Sequence, residues 1–516
     1  MRSVPVLLLV LLVAGGIAEA ARIVGTDGPD RLVGTASSDT LLGRGGADRL
    51  FGLAGADLVD GGPGRDVLDG GPGADRIAAQ YDGARDVVRC GGGVDVVNAD
   101  LADAVARDCE LVGRRLSRDP YTNADSQHET QVEPDSVTVG RTTVTAFQVG
   151  RRFDGAATNI GFAVTTDGGV TWRNGLLPGL TVASRPPGPN ARASDPVVAY
   201  DAATGTWLIA TLALEGQVTR LTVSRSGDGF AWGNPIVAAE AIAPSGIAFD
   251  KEWIICDNAP ASPRRGTCYL VYTDTLRRGS LGVSTSTDGG LTWTAAGQVP
   301  VTDAVGAIPV IRANGDVIVV FLWRGRSIGS SLSRDGGVTF SAASLIAEVR
   351  ARPARGLRFF PLPAAELHPD GRVLATWHDC RFSRGCSANA VVIATSTDGR
   401  TWSPPAAATS GRNAMLPTIG IHPTNGRIAL AYHVVRRDGG VDVELVESRP
   451  GGGWGAPRRL SARTMRPEWM PSTVSGRMLA DYIAVHYSGS RPLVVWVLAS
   501  EPVGGRLRQA VYATLG

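Results

Sequence analysis

Residues 61–78 read Gly-Gly-Pro-Gly-Arg-Asp-Val-Leu-Asp-Gly-Gly-Pro-Gly-Ala-Asp-Arg-Ile-Ala, which is one nine-residue pattern written twice. The same pattern runs through residues 25–78 without an insertion or a deletion. Each copy begins with glycine, has an aspartate five residues later, and has an apolar side chain two residues after that. The aspartates are Asp30, Asp39, Asp48, Asp57, Asp66 and Asp75, and the apolar residues are Leu32, Leu41, Leu50, Val59, Leu68 and Ile77.

This spacing predicts a coil of short strands with a thin apolar core, because glycine permits the tight turns between strands. Such a coil stacks its aspartates in a line, and like charges in a line need a cation. A hard divalent cation with six to eight oxygen ligands meets that need. The repeat resembles the RTX (haemolysin-type) calcium-binding nonapeptide. The resemblance implies a parallel β-roll over residues 21–112 that binds Ca²⁺ through the six aspartates.

The six cysteines form three close pairs in sequence, which predicts three short-loop disulfides in an exported chain. The pairs are Cys90/Cys109, Cys256/Cys268 and Cys380/Cys386. The first pair would close residues 87–112 as a cap on the roll. A zinc site is disfavoured, because the sequence contains no Cys-x-x-Cys.

Met1–Ala20 has the pattern of a signal peptide: a basic start at Arg2, an apolar stretch over 4–13 and small residues before the end. We expect cleavage after Ala20 and secretion from a bacterium. The apolar stretch is too short for a membrane span, and no other run approaches that length.

A second motif recurs in the rest of the chain. Thr-Thr-Asp-Gly-Gly-Val-Thr-Trp at residues 165–172 returns at 286–293 and 333–340, with shorter copies at 228–232 and 396–402. This pattern is similar to the Asp-box of sialidase-like β-propellers. The resemblance implies that its aspartates are structural, because the box lies on the rim of the propeller.

Apolar runs between the boxes predict sets of strands that start near residues 135, 195, 250, 307, 361, 415 and 479. We therefore expect an all-β chain with a signal peptide (1–20), a roll (21–112), a linker (113–127) and a propeller (128–516). The strand sets favour seven blades, whereas the sialidase resemblance implies six. The last set ends after three strands, so residues before the first blade would supply the fourth.

Polar residues at the start of the inner strands and in the loop after the second strand should meet at one mouth of a propeller. These are Glu133, Asp195, Asp250, Asp379, Arg381 and Asp481. The acids could hold a second calcium ion, one could be the acid/base of a glycosidase, or each could cap its own turn and pair with a basic residue. An ion pair is expected for Lys251, the only lysine of the chain.

The sialidase resemblance also implies three arginines that bind a sugar carboxylate, beside a tyrosine nucleophile and an aspartate. The candidate positions are Arg358, Arg412, Arg477, Tyr482 and Asp250. The Arg-Ile-Pro motif of the family is absent from residues 132–141.

Lys+Arg 51 against Asp+Glu 49 leaves a net charge of +2, which disfavours nucleic-acid binding. The sequence predicts a secreted, monomeric calcium-binding protein whose propeller binds a glycan or a cell-surface polymer. An exo-α-sialidase and a non-catalytic scaffold are the alternatives, so enzymatic activity stays open.

Overall fold

The computed structural model describes residues 19–244 and 246–516. The predicted signal peptide therefore lies almost entirely outside the described residues. The chain divides into two compact units. One lies within Met1–Arg115 and includes Arg459–Arg463, and the other comprises Leu116–Arg458 and Thr464–Gly516.

Both units are built from strands. Among the described residues the only helices are three short 3₁₀ turns, at Thr275–Arg277, Arg384–Cys386 and Pro467–Trp469. In this part of the chain none is long and apolar enough to cross a membrane.

The strands of the first unit alternate between two parallel sheets. Strands β1 (Arg22–Val24), β3 (Thr40–Leu42), β5 (Leu58–Asp60), β7 (Arg76–Ala79), β9 (Val96–Ala99) and β11 (Leu111–Arg115) form one sheet. Strands β2 (Arg31–Val33), β4 (Arg49–Phe51), β6 (Val67–Pro72), β8 (Val87–Gly92) and β10 (Ala104–Val105) form the other. Two nine-residue units thus make one coil, which confirms the predicted parallel β-roll.

The apolar residue of each repeat points into the roll. Leu41, Leu50, Val59, Leu68 and Ile77 are fully buried, and they form one core with Val88 and Val97. Cys90 and Cys109 are joined by a disulfide, as are the other two predicted pairs.

Arg459–Arg463 packs within this first unit, which the sequence did not predict. The amide of Asn98 donates to Leu460 O at 3.2 Å and accepts from Ala462 N at 2.7 Å. Arg463 pairs with Asp60 at 2.7 Å, and Ala462 is buried against Val96 and Leu111.

The second unit contains six four-stranded antiparallel sheets. The first sheet contains β12 (Gln127–Val139), β13 (Thr142–Arg151), β14 (Ala157–Thr165) and β15 (Arg173–Leu176). The second contains β16 (Arg192–Asp201), β17 (Thr206–Glu215), β18 (Val218–Ser226) and β19 (Ile236–Ile242). The third contains β20 (Phe249–Cys256), β21 (Cys268–Asp274), β22 (Ser280–Ser286) and β23 (Thr294–Val299). The fourth sheet contains β24 (Ala304–Ile311), β25 (Val317–Trp323), β26 (Ser327–Ser333) and β27 (Ser344–Glu348). The fifth contains β28 (Ala364–Leu367), β29 (Val373–Asp379), β30 (Ala390–Ser396) and β31 (Ala406–Ala407). The sixth contains β32 (Ala414–Ile421), β33 (Ile428–Val435), β34 (Val441–Glu447) and β35 (Arg458–Arg459).

A short hairpin of β36 (Ser472–Thr473) and β37 (Gly476–Arg477) precedes the seventh sheet, which contains β38 (Ala484–Ser488), β39 (Arg491–Val503) and β40 (Arg506–Leu515). The first strands of successive sheets contact one another, and β38 contacts β12, so the seven sheets close a ring. Leu116 N donates to Val511 O at 2.7 Å and Val511 N donates to Ser117 Oγ at 2.8 Å. Residues before the first blade thus flank the seventh. The propeller has seven blades, the number that the strand spacing favoured.

The Asp-boxes act as the predicted structural turns. Asp288 Oδ1 accepts from Leu291 N at 2.9 Å and Thr292 N at 3.0 Å, while its Oδ2 accepts from the Thr292 hydroxyl at 2.6 Å. The hydrogen bond from the Thr292 side chain is the main cause that lowers the pKa of Asp288 to about 2. A glycine at positive φ follows each box aspartate, as the tight turn requires.

The inner strands carry a repeated irregularity that positions the propeller mouth. The ladder register shifts near Glu133 in β12, Asp195 in β16 and Lys251 in β20, and these residues have φ values of 53°, 47° and 49°. A β-bulge of this kind turns an extra side chain out of the ladder. Non-glycine residues at positive φ are costly and persist only where surrounding contacts hold them.

Candidate functional site

The aspartates of the roll form two ladders of hydrogen bonds. Asp30 N donates to Asp48 Oδ1 at 2.8 Å, and Asp48 N donates to Asp66 Oδ1 at 2.8 Å. The second ladder begins with Asp39 and continues in the same way through Asp57. Each step spans one coil. Each ladder carboxylate after Asp30 therefore has one oxygen that accepts a hydrogen bond from the backbone of the preceding coil.

In six of these carboxylates the other oxygen is buried and has no hydrogen-bond partner in the described part of the chain, whereas in Asp30 and Asp39 it accepts from Thr26 N and Thr35 N. The six unpartnered oxygens are the Oδ2 atoms of Asp48, Asp57, Asp66, Asp75, Asp86 and Asp95. Burial, followed by the charge of neighbouring aspartates, raises the pKa of Asp66 to about 6, of Asp75 to about 7 and of Asp86 to about 8, against the opposing effect of a backbone hydrogen bond. Without a cation, these carboxyl groups lose their charge only by taking up a proton.

The glycine that leads each repeat makes room for the orphaned oxygen. A Cβ atom at Gly43 would lie 2.5 Å from Asp48 Oδ2 and closer still to Gly61 O. At Gly70 it would lie 2.5 Å from Asp75 Oδ2 and 2.9 Å from Cys90 O. Carboxylate and carbonyl oxygens thus converge on a space that only glycine leaves free. An all-oxygen donor set of this kind fits Ca²⁺, so the residues present suit the ion that the repeat implies.

The propeller mouth is organised by one amine. Lys251 Nζ lies 3.1 Å from Glu133 Oε1 and 2.6 Å from Asp195 Oδ1. It also lies 2.7 Å from Asp481 Oδ2. The amine therefore joins the third blade to carboxylates of the first, second and seventh blades. Burial opposes the charge of Lys251, but the three carboxylates outweigh it and raise the pKa of the amine.

Arg358, which precedes β28, completes the charged cluster. Its Nε and Nη2 atoms donate to the two oxygens of Asp481 at 2.8 and 2.7 Å. Burial opposes ionisation of Asp481, but Lys251 and Arg358 outweigh it and hold the pKa of that carboxyl below its usual range. We call Glu133, Asp195, Lys251, Arg358 and Asp481 the mouth cluster.

Two acids beside Lys251 lack such partners. No hydrogen bond or ion pair among the described residues involves the Asp250 carboxylate, which is half-buried. Both carboxyl oxygens of Glu252 are buried and have no hydrogen-bond partner in that same part of the chain. Burial raises the pKa of Glu252 well above its ordinary value, and the charge of Asp195 raises it further.

A central channel of about 480 Å³ lies along the inner strands and reaches Asp195, Lys251, Glu252 and Asp481. Trp253 and Tyr482 line it with their rings in an edge-to-face arrangement, 5.5 Å apart. The Tyr482 hydroxyl donates to Pro196 O at 3.1 Å. The channel therefore offers aromatic faces beside carboxyl groups.

The sequence placed Asp250 at the position equivalent to Glu133 and Asp195, and the structure corrects this. The bulged residue of the third blade is Lys251, one position later. The sequence predicted an ion pair for Lys251, and the structure gives this amine three partners, each from another blade. The only available signal was that a single lysine stands among several acids.

The three candidate arginines have different partners. Arg358 binds Asp481, Arg412 pairs with Glu444 at 3.2 Å, and Arg477 donates to Met470 O at 2.7 Å. Arg358 N donates to Arg477 O at 2.8 Å, but each of the three guanidinium groups is held by a different partner, unlike the shared carboxylate site that the sialidase resemblance implied. Asp379 and Arg381 pair with each other at 2.7 Å in the disulfide-closed loop, without a contact to the mouth cluster among the described residues.

Comparison with known proteins gives a family for the roll. The profile of the RTX calcium-binding nonapeptide repeat, which holds four copies, matches residues 24–59 and 52–79. Residues 24–79 are RTX calcium-binding repeats. No curated protein has a matching sequence.

Solved structures similar to the chain include sialidases. The Hadza microbial sialidase Hz136 is 16% identical over 62% of this chain and 66% of its own, with a TM-score of 0.44. The intramolecular trans-sialidase from Ruminococcus gnavus is 14% identical over 61% of this chain and 92% of its own, with a TM-score of 0.42. A protein of unknown function from Dyadobacter fermentans is 17% identical over 63% of this chain and 94% of its own, with a TM-score of 0.39.

Proposed function

We propose that this chain is an extracellular calcium-binding protein whose propeller binds a glycan in its central channel. The RTX repeats support the calcium part, with Asp30, Asp39, Asp48, Asp57, Asp66 and Asp75 as the carboxylate ligands. The ion would neutralise the two ladders and so contribute directly to the folding free energy of the roll. Three formed disulfides agree with an oxidising compartment outside the cell.

One observation carries the glycan part: the rings of Trp253 and Tyr482 line the channel together with the acids Glu252 and Asp481. The C–H face of a sugar packs against an aromatic ring, and its hydroxyl groups donate to carboxyl oxygens. A concave site with apolar walls and a few polar groups is the usual form of a ligand site. The open channel also argues against a scaffold with a filled centre.

The geometry does not favour the exo-α-sialidase alternative. A sialic acid carboxylate would meet the acids of the mouth cluster together with Asp250 and Glu252. The two nearby cations already bind Glu133, Asp195 and Asp481. Tyr482 is also a poor nucleophile here, because burial and surrounding carboxylates raise the pKa of its hydroxyl well above the usual value.

A glycan array probed with the purified chain in calcium tests this function. Thr418 lines the channel, so Thr418→Trp should narrow it and abolish binding of any glycan that the unaltered chain retains. Val182→Trp, at a residue that is 57% exposed, is the matched control and should bind normally. Absence of any bound glycan on the array, or equal binding by Thr418→Trp, would contradict the proposal.

A further inference from the structure

The acids at the mouth of the channel outnumber the cations that the protein itself supplies there. Five carboxyl groups lie at this end, those of Glu133, Asp195, Asp250, Glu252 and Asp481. The basic side chains are Lys251 and Arg358, and their contacts are with Glu133, Asp195 and Asp481. Asp250 and Glu252 are therefore the sequence neighbours of Lys251, but neither carboxyl group forms an ion pair with its amine.

The fold of the blade does not require an acid at Glu252. In the first, second and sixth blades the residue after the bulged position is proline, namely Pro134, Pro196 and Pro417. The bulge of the third blade has the same positive φ at Lys251, so an apolar residue would serve there as well. A glutamate at this place loses its hydration without gaining a hydrogen bond. That cost indicates a partner that the chain itself does not contain.

One of the two unpartnered acids lines the ligand channel. This is Glu252, which is 2% exposed, and neither of its carboxyl oxygens has a hydrogen-bond partner within the described residues. Asp250 precedes it by two residues, is half-buried and lies close enough to Asp195 and Asp481 for their charges to act on it. Asp195 and Asp481 line the same channel. A group that enters here needs N–H or O–H donors, and a positive charge would balance the excess of acids.

We propose that the channel selects a glycan that carries a free ammonium group, and this proposal rests on the proposed glycan binding. Such a glycan contains an amino sugar without its N-acetyl group. The ammonium group would donate to Glu252 and be attracted by the charge of the neighbouring Asp250, while the sugar ring packs against Trp253 or Tyr482. A metal ion fits less well, because Glu133, Asp195 and Asp481 are already paired with Lys251 and Arg358. An N-acetylated sugar would bring neither the charge nor the donors.

The test compares three oligosaccharides with the same β-1,4-linked backbone by isothermal titration calorimetry, with the full chain in calcium. These are a glucosamine tetramer, an N-acetylglucosamine tetramer and a glucose tetramer. We expect the glucosamine tetramer to bind at least about tenfold more tightly than the other two, because hydrogen bonds between charged groups are stronger than those between neutral groups. Glu252→Gln keeps the shape of the side chain and should remove most of that preference.

Glu215→Gln is the matched control, since Glu215 is exposed at the end of β17, and should keep the preference. Asp250→Asn is a second variant, which should reduce the preference even if Glu252→Gln misfolds. Equal binding of the three tetramers would overturn the selectivity and leave glycan binding intact. A preference that both Glu252→Gln and Asp250→Asn retain would also overturn it. Binding of none of them, together with an empty array, would overturn both proposals.

Discussion

Lys251 Nζ lies 2.7 Å from Asp481 Oδ2, which joins the third blade of the propeller to the seventh. The same amine binds acids of the first and second blades, Glu133 and Asp195. A ring of blades is most vulnerable where its ends meet, and β38 meets β12 there. The mouth cluster therefore both closes the ring and sets the charge of the channel.

Removal of this amine should destabilise the propeller strongly. Lys251→Met leaves Glu133 and Asp195 without a cation and Asp481 with Arg358 alone, and loss of one partner of a buried ion pair typically costs about 3–5 kcal/mol. The free energy of unfolding, measured with denaturant in calcium, should fall by that order. Arg372→Met breaks an exposed pair with Asp370 and should cost less than about 1 kcal/mol. Equal effects of the two substitutions would contradict the role of Lys251.

The carboxylate ladders predict a selective loss of calcium binding. Asp66→Asn keeps the shape of the side chain but removes one charge from the ladder between Asp48 and Asp86. Calcium affinity, measured by titration calorimetry, should fall by at least roughly tenfold, since a hydrogen-bonded or ligating charge contributes more than 1.4 kcal/mol. Asp27→Asn changes an exposed aspartate of the same unit and serves as the control. Unchanged affinity in Asp66→Asn would exclude this carboxylate as a ligand.

The metal-free roll should lose stability as the pH rises. The pKa is about 6 for Asp66, about 7 for Asp75 and about 8 for Asp86 in the folded chain, mainly because of burial, against about 3.9 in an unfolded chain. The stabilisation is therefore complete below about pH 4 and disappears as the pH rises through 6 to 8. Thermal melts of the roll in chelator should show this decline. Saturating calcium should suppress it, and a melting temperature that rises with pH in chelator would contradict the assignment.

The contact between Asn98 and residues 460–462 predicts that the roll needs a segment from far along the chain. Asn98→Ala removes the partners of two buried backbone groups, at Leu460 and Ala462, which should cost about 1–3 kcal/mol. Hydrogen exchange in calcium should become faster in residues 96–115 and 459–463. Asn258→Ala, at an exposed residue of the propeller, should not change exchange in these residues. Unchanged exchange in Asn98→Ala would show that the segment is not part of the unit.

Much of the fold could be predicted because its repeats are short and regular. The spacing of Asp30 to Asp75 specifies two units for each coil of the roll, and the Asp-boxes mark one turn in each of several blades. The grouping of Glu133, Asp195 and Asp481 at one mouth also followed from their places before or within the inner strands. All of these inferences rest on local periodicity.

What the sequence did not predict depends on small shifts or distant contacts. An extra residue at a β-bulge moves the following side chains by one position, so Lys251 takes the place that was assigned to Asp250. Arg358 and Arg412 both precede inner strands, yet their partners are Asp481 and Glu444. No periodic signal linked Ala462 to the roll, because its contacts with Val96 and Leu111 join residues hundreds of positions apart.

The most direct test of whether calcium completes the roll is hydrogen exchange of the mature chain in calcium and in excess chelator. Residues 21–115 and 459–463 should be protected in calcium and exchange rapidly in chelator, because the orphaned oxygens of the ladders then lack their cation. Residues 116–458 should keep their protection in both conditions. A roll that stays equally protected in chelator at pH 7 would contradict the claim.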